Sequence, residues 1–580
     1  MSTTTPAGRR PRRFGVVGPA ALAGVGLTLS IPPWGIWALA FPAAGLLWWR
    51  IADQPVRTRL LAGYVAGLGL FVPSLWWAVP FNVYGGIVLM LLSGIGPALA
   101  CAVTPPGRGR TPALAGAMVL FEVVRDTWPF GGMPLGGVVL GQAAGPLAGT
   151  ARVGGQFLVL GLVWVLGAGI GALVLSAVRV LRYRLDGDRQ TRQWRALADH
   201  AATTGTGAPD DTTRPARWTG SARRPPKVAG ALVAGLIAVC SVAAVWVVAA
   251  VAPDGGNPVA IVSAAAVQGG GRRGLDKEQV NPATVYAAQV AASALVAPPA
   301  GSNPTVARLV LWPEDVVALD TALAGSAEQE QLAALARRLD ATLLVGVTEP
   351  APGPHFLNEI VAFAPDGSIV AHYEKVHRVP FGEYVPDRGF FAHLANLSEV
   401  PLDAVPGHSD GVLHTPAAAI GAMVSYEVFF PARARVPVRA GAQLLVVPTN
   451  TSSYATTQVP AQEIAASRLR AIEEGRDLVQ AAPAGYSAVI DNHGTVRALS
   501  VLGRREVLQR DVALRRGLTL YARVGDLLAV ALALAGVIGG WIAHCTTVDE
   551  RAVTGRRERA ARAARSTPSA PATEGVGAHS

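Results

Sequence analysis

Apolar residues in this chain fall into two arrangements. The first is long runs with no charge: residues 14–49, 60–107, 153–178, 228–253 and 527–548 contain no Asp, Glu, Lys or Arg. A helix needs about 20 apolar residues to cross a bilayer. The run at 14–49 predicts two short spans broken at Pro32-Pro33, and that at 60–107 predicts two more, turning at 80–83. Residues 111–126 add a shorter span with Glu122 near one end. The pattern thus predicts eight spans, seven before residue 254 and one at 527–548.

Between these helical runs lies a stretch of the second kind, in which short apolar segments alternate with amphipathic ones. Residues 259–267, 308–312, 342–347, 358–364, 369–373, 417–424, 444–448 and 487–490 read as strands. Residues 282–296, 327–339 and 459–474 have helical composition and period. Ala364-Pro365-Asp366-Gly367 has the residues of a hairpin turn. This alternation predicts an α/β domain whose sheets are covered by helices.

Charge decides which side of a membrane each part occupies. With 580 residues, 51% of them hydrophobic and 15% charged, the chain is too apolar for an ordinary soluble protein. Segments 1–13, 50–59, 108–110, 179–227 and 549–580 hold 26 basic and 10 acidic residues, net +16; the whole chain is +11, which leaves −5 for the rest. Positive loops stay in the cytoplasm, and these alternate correctly with eight spans. Both ends are then inside and 254–526 lies outside. The basic excess reads as a topology signal, so nucleic acid is not an expected partner. Arg9 to Arg13 before an apolar run resemble a signal peptide, but Pro19, the Pro32-Pro33 break and the next apolar run argue for a retained hairpin.

The expected organisation is a seven-span membrane domain at 1–253, an extracytoplasmic domain at 254–526, a C-terminal span at 527–548 and a basic cytoplasmic tail at 549–580. The cytoplasmic loop 179–227, rich in Arg, Thr, Gly and Pro from 181 to 226, is expected to lack regular structure. Residues 551–565 read as an Arg/Ala-rich helix near anionic headgroups, and 566–580 as disordered.

Cys101, Cys240 and Cys545 all lie in or at the edge of the apolar runs. The outer domain therefore has no disulfide and no cysteine nucleophile. Its histidines show no metal-ligand spacing, and Gly269 to Gly274 lacks the Lys-Ser/Thr of a phosphate loop. No cofactor is expected.

Three strand ends carry candidate chemistry. Glu314 follows 309–312, with Pro313 ending the strand; Lys375 follows 369–373; Ser425 follows 417–424. A carboxylate, an amine and a nucleophile at strand ends are the parts of an acyl-transfer site. Taken singly, each is an ordinary surface or turn residue.

The surrounding residues tie the three together. Tyr373-Glu374-Lys375-Val376-His377-Arg378-Val379-Pro380-Phe381-Gly382-Glu383-Tyr384-Val385-Pro386 closely resembles the lysine segment of the apolipoprotein N-acyltransferases, within the nitrilase superfamily. Trp312-Pro313-Glu314 resembles that family's glutamate segment, and Met423-Val424-Ser425-Tyr426-Glu427 its nucleophile segment, with serine where the family has cysteine. Residues 470–476 and 485–491 are similar to its later helix and strand. The resemblance implies a multi-span helical bundle carrying a nitrilase-type α-β-β-α sandwich. It further implies transfer of an acyl chain from a phospholipid to the amine of a diacylglyceryl-cysteine lipoprotein, by a monomer in the bacterial cytoplasmic membrane. Glu314 is then the general base, Lys375 the oxyanion partner and Ser425 the nucleophile position, with Glu383, Tyr426 and Glu427 at supporting positions. Two departures concern the lipid entrance: residues 267–274 lack the family's aromatic residue, and Tyr454 stands where the family often has tryptophan.

Serine changes the chemistry. A thiol has a pKa near 8.5, whereas an alkanol is far less acidic and needs much stronger activation. The chain is therefore expected to be nearly inactive in acyl transfer, as a cysteine enzyme exchanged to serine, with a naturally divergent serine enzyme as the alternative. Two other functions remain open: a membrane-tethered amidase, and a non-catalytic lipoprotein-binding protein.

Overall fold

The computed structural model describes residues 14–204, 228–271, 280–297, 307–393, 397, 398 and 400–566. The basic run before residue 14, residues 205–227 of the loop, part of the 269–274 glycine run and the end of the tail lie outside the described residues.

The charge-free runs form helices. Phe14–Ser30 and Ala40–Arg50 flank the Pro32-Pro33 break; Val56–Ser74, Val83–Ser93 and Ile95–Val103 follow, then Arg110–Arg125. Among the described residues, four helical stretches are long and apolar enough to cross a membrane: Val83–Val103, Ala148–Ala201, Ala229–Val251 and Leu527–Glu550; Gly15–Ser30 is a shorter apolar helix. Close packing rests on small residues. A Cβ on Gly63 would sit 2.3 Å from the Pro97 carbonyl oxygen, so the helices there approach backbone to backbone.

One expectation fails here. The helix Ala151–Thr204 runs straight through 181–204, where an irregular loop was expected. Ala, Arg and Gln dominate 189–202, and these are strong helix formers whose charges are solvated on an exposed helix. The C-terminal helix likewise continues from Leu527 to Ser566, through the Arg/Ala-rich segment.

The domain between the last two apolar stretches is a two-sheet sandwich. Its strands are β1 Ala260–Gln268, β2 Arg308–Leu311, β3 Val317–Ala318, β4 Thr342–Ala351, β5 His355–Phe363, β6 Ile369–Glu374 and β7 Asp403–Ala404. There follow β8 Val412–His414, β9 Ala419–Ala422, β10 Leu444–Pro448, β11 Leu478–Ala481, β12 Ala488–Ile490, β13 Val496–Leu499 and β14 Glu506–Leu514. One sheet runs β14-β1-β2-β4-β5-β6, with β3 on β4 and β7 on β5; the other runs β13-β12-β11-β10-β9-β8.

Side chains alternate faces along each strand, and β1 shows the result. Val262, Ala264 and Ala266 face the second sheet and share its core with Ile420, Ala422, Leu444 and Val446, while Ala265 and Val267 share a core with the helices Pro282–Ser293 and Ala327–Leu339. The outer face of the second sheet is covered by Pro431–Arg439 and Val459–Glu474. That apolar layer continues without a break into the helical bundle. The α-β-β-α sandwich therefore rests on the membrane helices through its second-sheet side. Polar contacts fix the seating: Gly136 N donates to Gln462 Oε1 at 2.9 Å, Gln458 Nε2 to the Pro73 carbonyl at 2.9 Å, and Gln156 N to Glu473 Oε1 at 2.7 Å.

Candidate active site

Four strand ends meet at the rim of the sandwich nearest the bundle. β2 lies in parallel register between β1 and β4. Trp312 N makes the last ladder bond, to the Leu344 carbonyl at 2.8 Å, and Pro313, with no N–H to give, ends the pairing. Glu314 turns inward and is buried. Gly346 makes room for this turn, since a Cβ there would lie 2.3 Å from the Pro313 carbonyl oxygen.

Lys375 follows β6, its N–H held by the Asn358 carbonyl at 2.8 Å, and its side chain is 1% exposed. The ammonium donates to Glu314 Oε1 at 2.9 Å and to Glu383 Oε1 at 2.7 Å. Asn358 Nδ2 donates to the same two oxygens, each at 2.9 Å, and Val379 N donates to Glu383 Oε2 at 2.8 Å. Burial works against the charge on Lys375, but the two carboxylates outweigh it and raise its pKa above the ordinary lysine value. The amine is thus a fixed cation at neutral pH.

Ser425 stands past the end of β9 with φ +52°, a left-handed backbone that non-glycine residues rarely adopt. It opens the short 3-10 turn Ser425–Phe429. Glu427, fully buried, joins this turn to the lysine loop. Its carboxylate accepts from Val424 N, Val376 N, His377 N and the Tyr373 hydroxyl at 2.8–2.9 Å. Burial raises its pKa, and the donors act in the opposite direction. Tyr426 points away, its hydroxyl donating to the Gly132 carbonyl at 2.8 Å. The six residues singled out in the sequence therefore form one assembly: Lys375, Glu314 and Glu383 as a charged cluster, Glu427 as a strut, and Ser425 and Tyr426 on the turn.

Three further residues belong to it. Asn358 bridges the two carboxylates, Thr449 Oγ1 lies 3.2 Å from Ser425 Oγ, and Glu463 meets Thr449 at 2.5 Å. Asn358 left only a weak signal, since it stands beside Glu359 in a strand that is apolar on either side of the pair. Thr449 and Glu463 left none beyond ordinary strand-end and helix polarity.

Aromatic side chains from both parts flank the site. Phe130 packs edge-on against Phe381 and Phe391, and Tyr454 lies 4.6 Å from Phe81 and 5.6 Å from Trp77 between ring centroids. Tyr454, where tryptophan was the family's expected residue, thus still links the domain to the bundle. Arg435 donates to the Ala522 and Arg523 carbonyls, and the exposed Arg439 to that of Arg523, which ties the helix Pro431–Arg439 to the segment before the last helix.

Fold and site together define a carbon–nitrogen-hydrolase domain mounted on an apolar helical bundle. Residues 263–517 match the carbon-nitrogen hydrolase family and residues 23–169 the apolipoprotein N-acyltransferase N-terminal domain. The chain is 30% identical to an apolipoprotein N-acyltransferase of Mycolicibacterium smegmatis over 89% of this chain and 82% of that one. It is 27% identical to one of Caulobacter vibrioides over 90% and 93%. This chain belongs to the apolipoprotein N-acyltransferase family of the nitrilase superfamily. Among solved structures, Nit3 of Saccharomyces cerevisiae, of the nitrilase superfamily, aligns over 44% of this chain and 91% of its own at 20% identity and a TM-score of 0.33.

Proposed function

We propose that this protein N-acylates lipoproteins, moving an acyl chain from a phospholipid through a covalent enzyme ester to the amine of a diacylglyceryl-cysteine. One observation carries the reading: the buried Lys375 cation, clamped between Glu314 and Glu383, is joined through Glu427 to the turn that presents Ser425. Such a cation can receive the charge that develops on an ester oxygen. Ser425 is the nucleophile, Lys375 the oxyanion partner and Glu314 the base, while Glu383 holds Lys375 and Tyr426 holds the turn. Eight spans, with both ends in the cytoplasm and the sandwich on the outer face of a bacterial cytoplasmic membrane, bring the site to its lipid substrate.

The first step is slow at an alcohol. A thiol at this position is partly ionised at neutral pH, so Ser425→Cys should form acyl-enzyme on the order of 100-fold faster or more. The test incubates that variant with phospholipid labelled in its acyl chain, then adds a diacylglyceryl lipopeptide. Label passing to the lipopeptide amine supports acyl transfer. Discharge to water alone supports a membrane-tethered amidase instead, and no protein-bound label with lipopeptide still bound supports a non-catalytic binder.

A further inference from the structure

A second buried carboxylate adjoins Ser425, apart from the Glu314–Lys375–Glu383 cluster. Thr449 follows β10, the neighbour of β9, and its hydroxyl touches both Ser425 Oγ, at 3.2 Å, and Glu463 Oε1, at 2.5 Å. Glu463, on the helix Val459–Glu474, is 1% exposed. Its other oxygen accepts from Gln480 Nε2 at 3.0 Å. Gln480 is itself fixed by Ser467 Oγ, which donates to its Oε1 at 2.6 Å, and by the Tyr486 carbonyl. Thr449 has one hydroxyl proton. The shorter contact, to the carboxylate, takes it, which leaves the 3.2 Å contact to accept the proton of Ser425.

We propose that Thr449 and Glu463 form a proton relay for the Ser425 hydroxyl; the inference rests on acyl transfer at Ser425 as read above. The relay works beside Glu314, whose Oε1 is taken up by Lys375 Nζ and Asn358 Nδ2. As Ser425 Oγ bonds to the ester carbonyl carbon, its proton passes to Thr449 Oγ1 and the Thr449 proton passes to Glu463 Oε1. The carbonyl electron pair moves onto oxygen beside Lys375. When it returns, the bond to the glycerol oxygen breaks, and that oxygen takes the proton back along the relay, leaving an alcohol and the serine ester. Attack by the amine repeats the sequence: nitrogen gives a proton to the relay and Ser425 Oγ recovers it as it leaves. Thr449 touches the reacting atom; Glu463 acts through it and is a positioning residue.

The electrostatics suit this role. Burial, aided by the charge of Glu314, raises Glu463 to about 8 against the Thr449 hydrogen bond and the charge of Lys375. A base with a pKa near the working pH is efficient. A serine depends on such a base, whereas a thiol that is already partly ionised does not.

The test measures protein-bound label from acyl-labelled phospholipid vesicles under single-turnover conditions, using the full-length protein. Thr449→Val, Thr449→Ser and Glu463→Gln are each made with Ser425 and with Ser425→Cys. With Ser425, Thr449→Val and Glu463→Gln should slow acylation about 100-fold, and Thr449→Ser should restore it to within a few-fold. The pH dependence of the rate should flatten in Glu463→Gln. With Ser425→Cys each change should cost only a few-fold. Equal losses in both backgrounds would show a structural role and overturn the relay, as would a Ser425 protein that takes up no label while its Ser425→Cys form does. If Ser425→Cys takes up none either, acyl transfer itself is the wrong reading and the relay falls with it.

Discussion

Tyr426, the neighbour of Ser425, gives its hydroxyl proton to the carbonyl of Gly132, which lies in the segment after the helix Arg110–Arg125. This hydrogen bond ties the Ser425–Phe429 turn to the bundle. Tyr426→Phe leaves a buried carbonyl without this donor, at a cost of about 1–3 kcal/mol. In the Ser425→Cys form we expect a roughly 10-fold fall in kcat/KM for phospholipid, with a small drop in melting temperature. Acylation kinetics unchanged by Tyr426→Phe would remove the tie from the account.

Lys375 is the hub of its cluster, so its loss should be felt in stability as well as rate. Lys375→Met strands two carboxylates in a buried site, and breaking such a pair costs roughly 3–5 kcal/mol. The pH dependence has a definite sign. The folded pKa lies above the unfolded value, so the stabilisation is complete below about pH 10.4 and is lost as pH rises through the raised folded value. As pH rises above about 10.4, the parent's denaturation midpoint should fall more steeply than that of Lys375→Met, whereas below that pH the gap between them should stay constant.

Much of this was legible in the sequence because it rests on local patterns. The strands before Glu314 and Ser425 are apolar runs with abrupt ends, and the charge-free stretches could be little else than buried or lipid-facing helices. β14 was missed because Glu506, Gln509, Arg510 and Asp511 disguise it; it is an edge strand whose middle, Arg510 and Asp511, is exposed. The helix Pro431–Arg439 was missed because of Pro437, although it also begins with a proline, where helices tolerate one. Thr449 and Glu463 lie 14 positions apart and become neighbours of Ser425 only through the β9–β10 pairing and the docking of the helix Val459–Glu474. No periodicity encodes that.

Gly155 tests the seating of the sandwich on the bundle. It interrupts the long helix at φ +70°, and a Cβ there would lie 2.4 Å from the Tyr521 ring, whose hydroxyl donates to Asp526 just before the exit helix. Gly155→Ala combines a left-handed backbone with overpacking, together about 2 kcal/mol or more. We expect a clear fall in the thermal midpoint of the detergent-solubilised protein. Gly149→Ala is the control: no atom lies within 4 Å of its Cβ position and its φ is not in the left-handed region, so the midpoint should stay put.

His377 offers a second pH dependence, opposite in direction to that of Lys375. Its ring stacks on Phe430 at 3.6 Å between centroids, and its N–H holds Glu427. Burial, with the charges of Arg433 and Lys375, lowers its pKa to about 4, while Glu383 acts weakly the other way. The imidazole is therefore neutral at pH 7, which suits stacking on an apolar ring. The unfolded chain takes up this proton near pH 6.5, well before the folded one. Stability should consequently fall as pH drops from about 6.5 towards 4, because protonation favours the unfolded state across that window. His377→Phe keeps the stack and the backbone N–H to Glu427 but removes the titrating group. Its denaturation midpoint should be flatter than the parent's between pH 6.5 and 4, with the two curves closest at pH 7 and above. If both fall in parallel, the acid sensitivity lies in the buried carboxylates and not in His377.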